Sequence, residues 1–281
     1  MKIPKLPILF ITLIFAASTF AQKMKAEDVL AKHLESIAMA EARAAVKSQV
    51  LIGEVTIKFI SQKNLTAQGR IVMASAAEKN FPGMSLNASD YPSEKFSYDG
   101  KKTKIGFVRN GVRSVLGNFV ASNDVIIKES LFGGTLSTSW VLHDLASKKA
   151  KLSFDGTKKI NGKEVYVLGY SPKSTSDVDI KLFFDKETFR HVRTEYKRTS
   201  SAGIGVRPEQ SSGFSESRLT VTEDFSDFKT EKNLTLPHTY RLFYSVTGQN
   251  GTSEIEWLFN LTEFSFNQSL APNTFDIEAV N

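Results

Sequence analysis

The 281-residue chain contains no cysteine. That absence excludes disulfides, thiolate metal sites, a cysteine nucleophile and a lipid-modified N-terminal cysteine. Histidine is scarce. His33, His143, His191 and His238 are scattered with no metal-ligand spacing. No glycine-rich phosphate loop, nucleophile elbow or HExxH motif occurs. With no acid–base or nucleophile group to assemble, the expectation is a non-enzyme with no catalytic residue, no metal and no cofactor. Long apolar runs are missing too. The longest, residues 6–17, falls well short of the ~20 residues a spanning helix needs.

Charge is unremarkable in amount and distribution. The net charge of +6 comes from 36 basic and 30 acidic residues spread along the chain, a balance that fits solubility. Lys148, Lys149 and Lys151 form a small basic cluster without the interleaved aromatics that base stacking requires, so no nucleic-acid partner is expected.

The amino terminus has the layout of a secretory signal: a basic start with Lys2 and Lys5, an apolar stretch, and small residues leading to Ala21. Cleavage after Ala21 is expected, leaving one domain over residues 22–281, soluble after cleavage and periplasmic or secreted.

What the chain has in quantity is phenylalanine, 21 residues of it, and period-two alternation. In residues 178–184, Val178, Ile180, Leu182 and Phe184 alternate with Asp179 and Lys181, which marks a strand with one dry and one wet face. Residues 164–170 and 190–196 flank it as further strands, with Val192, Thr194 and Tyr196 continuing the pattern. The scheme recurs with Val55, Ile57 and Phe59, with His238, Tyr240 and Leu242, and with Trp257 and Phe259. Gly53 interrupts one apolar face and marks a bulge or a close backbone approach. Asp99-Gly100 signals a hairpin, Asn110-Gly111 signals a turn into residues 112–116, and residues 80–92, with Pro82, Gly83 and Pro92, read as a loop. Residues 200–217, rich in Ser and Gly, read as a hairpin loop.

Two stretches break the β pattern. Residues 26–48 predict one long amphipathic helix with Val29, Leu30, His33, Leu34, Ile37 and Ala38 on one stripe, His33 serving as a packed core histidine. Residues 122–148 predict two short helices, one ended by Gly133-Gly134, the other over 135–147 with Trp140, Val141, Leu142 and Leu145 on one side. Plain packing and a lid over a cavity are both open readings of this pair.

The order of these elements resembles the LolA-like outer-membrane lipoprotein carriers and their LppX-like relatives, which include mycobacterial lipid-binding lipoproteins. The resemblance rests on the helix AEDVLAKHLESIA, Gly53 and Gly69 in the first two strands, and Tyr98-Asp99-Gly100-Lys101. It continues through residues 161–166, LFFDKET with HVRTEY, DFSDFKTEKNLTLPH and the closing LAPNTFDI. Residues 71–79 lack the Arg-Pro pair that the lipoprotein carriers have after the second strand. The resemblance implies an α+β, mainly β fold: a single curved antiparallel sheet (half-barrel) with an N-terminal helix and short lid helices on the concave side. It also implies a carrier of lipid or lipoprotein acyl chains held in an apolar cavity, working with an inner- or outer-membrane partner protein. Val55, Ile57, Phe59, Trp140, Leu142, Val178, Ile180, Leu182, Phe184, Tyr240, Leu242, Trp257 and Phe259 are the candidate cavity residues. The alternative is a structural or stress-sensing interaction module of the same fold with a filled core.

Overall fold

The structure, a computed structural model, describes residues 24–62, 65–174, 176–201, 216–249 and 251–277. The expected signal over residues 1–21 and most of the expected loop over 200–217 lie outside them.

Among the described residues, twelve strands form one antiparallel sheet. The first five are β1 (Ser48–Phe59), β2 (Leu65–Ala76), β3 (Lys79–Leu86), β4 (Ser93–Tyr98) and β5 (Thr103–Ile105). The other seven are β6 (Lys151–Ile160), β7 (Lys163–Ser171), β8 (Asp179–Asp185), β9 (His191–Ser200), β10 (Ser217–Glu231), β11 (Leu234–Gly248) and β12 (Gly251–Phe266). Their order is β5-β4-β3-β2-β1-β12-β11-β10-β9-β8-β7-β6. Two meanders therefore meet where the first strand pairs with the last. β5 and β6, consecutive in the chain, lie at opposite edges. The sheet stays open, so residues 106–150 must run from one edge to the other, and they do so across the concave side.

Curvature has a residue-level cause. The β1–β12 register shifts between Ile52 and Gly53, and a Cβ on Gly53 would collide with the Asn260 carbonyl. One on Gly69, opposite Val55 in β2, would collide with the Ser85 carbonyl. Backbones approach here closer than any side chain permits, which lets the sheet bend.

The two faces differ as the alternation requires. Outside, an ion ladder crosses five strands: Arg193 to Asp224 at 2.5 Å, Asp224 to Arg241 at 3.1 Å, Arg241 to Glu256 at 2.5 Å and Glu256 to Lys58 at 3.5 Å. Inside, the dry residues of β1, β2 and β7–β12 join one continuous core.

Several elements differ from the sequence reading. The long helix is two: α1 (Ala26–Ile37) and α2 (Ala40–Ala45), broken where Ala38 and Met39 turn extended. Arg43 explains the break. It donates from one guanidinium nitrogen to the Leu34 carbonyl at 2.6 Å and to the Ala38 carbonyl, closing the end of α1 and folding α2 back. The expected loop at 80–92 contains β3. Pro82 is tolerated because the β3–β4 ladder skips from Asn80↔Tyr98 to Gly83↔Lys95, leaving no bond for its missing N–H to make. β6 is an edge strand the alternation reading passed over. Val192 faces the convex side, packed against a small cluster of Val165, Val167 and Phe183, because the β8–β9 register shifts between Phe183 and Phe184.

Candidate functional site

Across the concave side runs a strap of short elements: α3 (Val115–Ser122), α4 (Val125–Lys128), α5 (Leu145–Lys148) and two 3₁₀ turns, Gly134–Leu136 and Val141–His143. Residues 112–116 do not continue as a strand. Val112 makes one bridge to Arg109, and Ser114 then caps α3 by accepting the Gly117 N–H. Nor do residues 135–147 form one helix: Ser137 and Ser139 bond to each other and to neighbouring groups, and the range is divided among the two 3₁₀ turns and the start of α5.

The strap is apolar where it faces the sheet. Leu116, Val120, Ile126, Ile127, Leu131 and Leu142 are all at most 2% exposed. Beneath it the sheet contributes Val55, Ile57, Ile180, Leu182, Phe184, Tyr240, Leu242, Trp257 and Phe259, each likewise at most 1% exposed, with Val178 just before β8 buried among them. Phe59 sits at the margin, half-buried, with its ring edge-on to Tyr91 at 6.0 Å. Twelve of the thirteen candidate residues thus share one buried core and Phe59 packs against it.

Floor and cover are in direct contact. The Trp140 ring lies 5.0 Å from His33 of α1 and 4.9 Å from His191 of β9. Phe184 packs 4.8 Å from His33. Tyr240 stacks between Phe225 and Phe259, with Phe132 of the strap edge-on at 6.3 Å. His33, read as a core histidine, is one, its Nδ1 2.9 Å from the Phe189 carbonyl oxygen.

Around this dry centre the strap is fastened by polar contacts from six strands. From β1, Gln49 donates to the Leu136 carbonyl at 3.2 Å, and from β2, Ser75 accepts the Thr138 N–H at 2.9 Å. From β3, Asn80 donates to the Ile127 carbonyl at 2.8 Å and the Ser130 hydroxyl at 2.7 Å. Glu94 of β4 accepts from the Ser114 hydroxyl, and Tyr170 of β7 donates to Glu129. Glu223 of β10 accepts the Gly133 N–H at 2.7 Å while also accepting from Tyr196 and Tyr240.

No protein-family model and no curated protein matches the chain. Among solved structures, a LolA superfamily protein from Nitrosomonas europaea matches with a TM-score of 0.50 at 11% identity, over 91% of this chain and 99% of its own. The chain shares the fold of that protein. A domain assigned to outer-membrane lipoprotein sorting, from Vibrio parahaemolyticus, gives 0.48 at 16% identity, over 90% of this chain and 98% of that one. A DUF1329 family protein from Desulfovibrio piger gives 0.43 at 9% identity, over 91% and 98%.

Within this fold the buried carboxyls carry the electrostatics. Burial pushes Glu94 up to about 8 and Glu223 up to about 7, and raises Glu129. Burial lowers His33 to about 3, His143 to about 4 and His191 well below its ordinary value. The sequence reading missed these carboxyls by treating acidic residues as wet-face residues. A signal was present: Glu223 is in phase with Val221 and Phe225, and Glu94 with Phe96, on dry faces. Among the described residues, no group of three acidic or histidine side chains is placed to hold a metal ion, and no helix is long and apolar enough to cross a membrane.

Proposed function

We propose that this protein is an extracytoplasmic binding or carrier protein for an acyl chain, lipid- or lipoprotein-borne, taken between the strap and the concave sheet. One observation supports this above others. The dry face is closed by residues 106–150, built of one- and two-turn pieces and fastened to the floor by individual side-chain hydrogen bonds rather than by strand pairing. Short elements with few internal bonds open at lower free energy than a ladder does. Lifting the strap exposes a floor of Val55, Ile57, Ile180, Leu182, Phe184, Leu242, Trp257 and Phe259, and an acyl chain then replaces the strap residues Trp140 and Leu142. Each methylene buried there contributes about 0.8 kcal/mol, so a chain of about fifteen offers on the order of 10 kcal/mol before association costs. No bond is made or broken. Delivery and receipt by membrane proteins follow from a cargo that cannot travel free in water.

A second reading has its own support. The ring contacts of Trp140, Phe184 and Tyr240 already fill the space between strap and floor, as they would in a protein-interaction module whose core is complete without cargo. Native mass spectrometry of protein purified from its own compartment, paired with uptake of a fluorescent fatty-acyl probe, separates the two. A carrier shows co-purified lipid or saturable uptake. Neither signal from a folded sample sinks the carrier reading in favour of the module.

A further inference from the structure

The sheet is open, and its two edges are unlike. β5, at one edge, is three residues long. β6, at the other, is ten, and among the described residues no strand lies on its outer side. The β6–β7 register shifts between Phe154 and Thr157, around Gly156 with its φ of 92°. That bulge and the two lysines after it, Lys158 and Lys159, are devices that keep an edge strand from pairing. The residues before it are different. Lys151–Phe154 pair with β7 without interruption and leave a regular row of outward backbone groups.

Each face of this run has its own chemistry. Leu152 and Phe154 turn to the concave side, half-buried, and pack against the margin of the core. Lys151, Ser153 and Asp155 turn to the convex side, where the Ser153 hydroxyl donates to Asp155 at 3.0 Å beside Gly169. Asp155 lies 3.3 Å from Lys181 with 30% of its side chain still exposed. Lys151 is exposed and, among the described residues, forms no ion pair. The order Lys-Leu-Ser-Phe-Asp is complementary to itself. Laid antiparallel on a second copy about Ser153, it sets Lys151 opposite Asp155 twice, Leu152 opposite Phe154 twice, and Ser153 opposite itself. Opposite charges and aromatic–aliphatic pairs placed this way are favourable. A shift of two residues in either direction loses both charge pairs, and a shift of one sets dry residues against wet ones.

We propose that residues 151–155 are a self-recognition edge, joining two copies of this chain through an antiparallel β6–β6 pair with its two-fold axis at Ser153. Lys151 meets the partner's Asp155, and Leu152 packs on the partner's Phe154. The axis stands perpendicular to the sheet, so both concave faces lie on the same side and the two twelve-stranded sheets become one. Association stops at two. The pairing is isologous, and β5 is too short to offer a second such edge. The dimer does not rest on the acyl-carrier reading.

The test is sedimentation velocity of the full chain as its concentration is raised, where a monomer–dimer equilibrium is expected. Lys151→Asp sets carboxylates against carboxylates across the axis, and Asp155→Lys sets lysines against lysines. Each is expected to weaken association by about tenfold or more. Mixed in equal amounts, the two variants are expected to pair with each other, because every aspartate then faces a lysine. The chain has no cysteine, so Ser153→Cys reads the register directly. Residues directly opposite on antiparallel strands have Cα atoms close enough for a disulfide, and mild oxidation is expected to give a covalent dimer. Lys159→Cys, beyond the bulge, is expected to cross-link far more slowly. A wild-type chain that stays monomeric up to its solubility limit overturns the edge. So do single variants that dimerise as the wild type does, or a mixture no more associated than its components. Cross-linking of Ser153→Cys no faster than Lys159→Cys overturns the axis at Ser153.

Discussion

Gly133 donates its backbone N–H to the Glu223 carboxylate at 2.7 Å, joining the middle of the strap to the middle of the sheet. The same carboxylate accepts the hydroxyls of Tyr196 and Tyr240 from the two neighbouring strands, each at 2.7 Å. All three side chains are at most 1% exposed. One acid therefore gathers β9, β10, β11 and the strap.

Removing that acid orphans three buried donors. Glu223→Ala is expected to lower stability by about 3 kcal/mol, since an unsatisfied buried group costs about 1–3 kcal/mol and such costs are not additive. Glu223→Gln keeps the shape and most of the bonding, with one tyrosine hydroxyl turning to accept, and is expected to stay within about 1 kcal/mol of wild type. Urea unfolding of the two variants checks this, and equal losses would remove Glu223 from its bridging role.

Stability should pass through a maximum in mildly acidic solution. Glu94 and Glu223 have folded pKa values of about 8 and about 7, above the ordinary 4.5. The folded state therefore holds protons that the unfolded state releases, and stability falls as pH rises from about 4.5 to about 8. His33 and His143, lowered to about 3 and about 4 from 6.5, do the reverse. The unfolded state binds protons the folded state refuses, so their contribution is present above 6.5 and is lost as pH falls toward about 3. The opposing limbs place the maximum between about 4.5 and 6.5. Glu223→Gln is expected to flatten the descending limb. Stability that climbs steadily to pH 8 would contradict the raised values of Glu94 and Glu223.

Bending at Gly69 is tested by a single methyl. Gly69→Ala drives its Cβ into the Ser85 carbonyl, a backbone atom that cannot step aside without moving β3. A loss of about 1–3 kcal/mol or more is expected, read as a lowered denaturant midpoint. An unchanged midpoint would show that the sheet curves without this close approach.

The two tryptophans are placed to report on the strap separately. Trp140 belongs to the strap and Trp257 to β12, and both are buried. With Trp257→Phe, saturation by a long-chain acyl ligand should move the emission of Trp140 to longer wavelength as it leaves the core. With Trp140→Phe, the emission of Trp257 should stay at short wavelength. Red shifts from both variants would indicate unfolding rather than a lifted strap.

The sheet was legible in the sequence because period-two alternation is a local signal. Val178, Ile180, Leu182 and Phe184 announced their face without help from the rest of the chain, and Gly53 announced its bulge. The single curved sheet with its helices on the concave side was likewise readable from element order. Tertiary contacts decided what was not. The helix break after Ile37 depends on Arg43 reaching back to two carbonyls, and β3 depends on a gap opposite Pro82 in the β4 ladder. The strap's non-helical middle depends on serine hydroxyls choosing one another. In the candidate site, the apolar floor was visible, but the carboxyls beneath the strap were not, because an acidic residue on a dry face runs against the pattern used to read it.

Whether the strap must lift for an acyl chain to enter is decided by tying it down. The Thr138 hydroxyl donates to the Ser75 hydroxyl at 3.1 Å across the sheet–strap boundary, so cysteines at these two positions bring their sulfurs next to each other across it. The chain has no cysteine to interfere. The Ser75→Cys/Thr138→Cys double variant, oxidised and then reduced, is assayed for uptake of a fluorescent fatty-acyl probe. The expected result is uptake lost on oxidation and restored by reductant. Wild-type uptake by protein whose disulfide is confirmed by mass would contradict the strap as the gate.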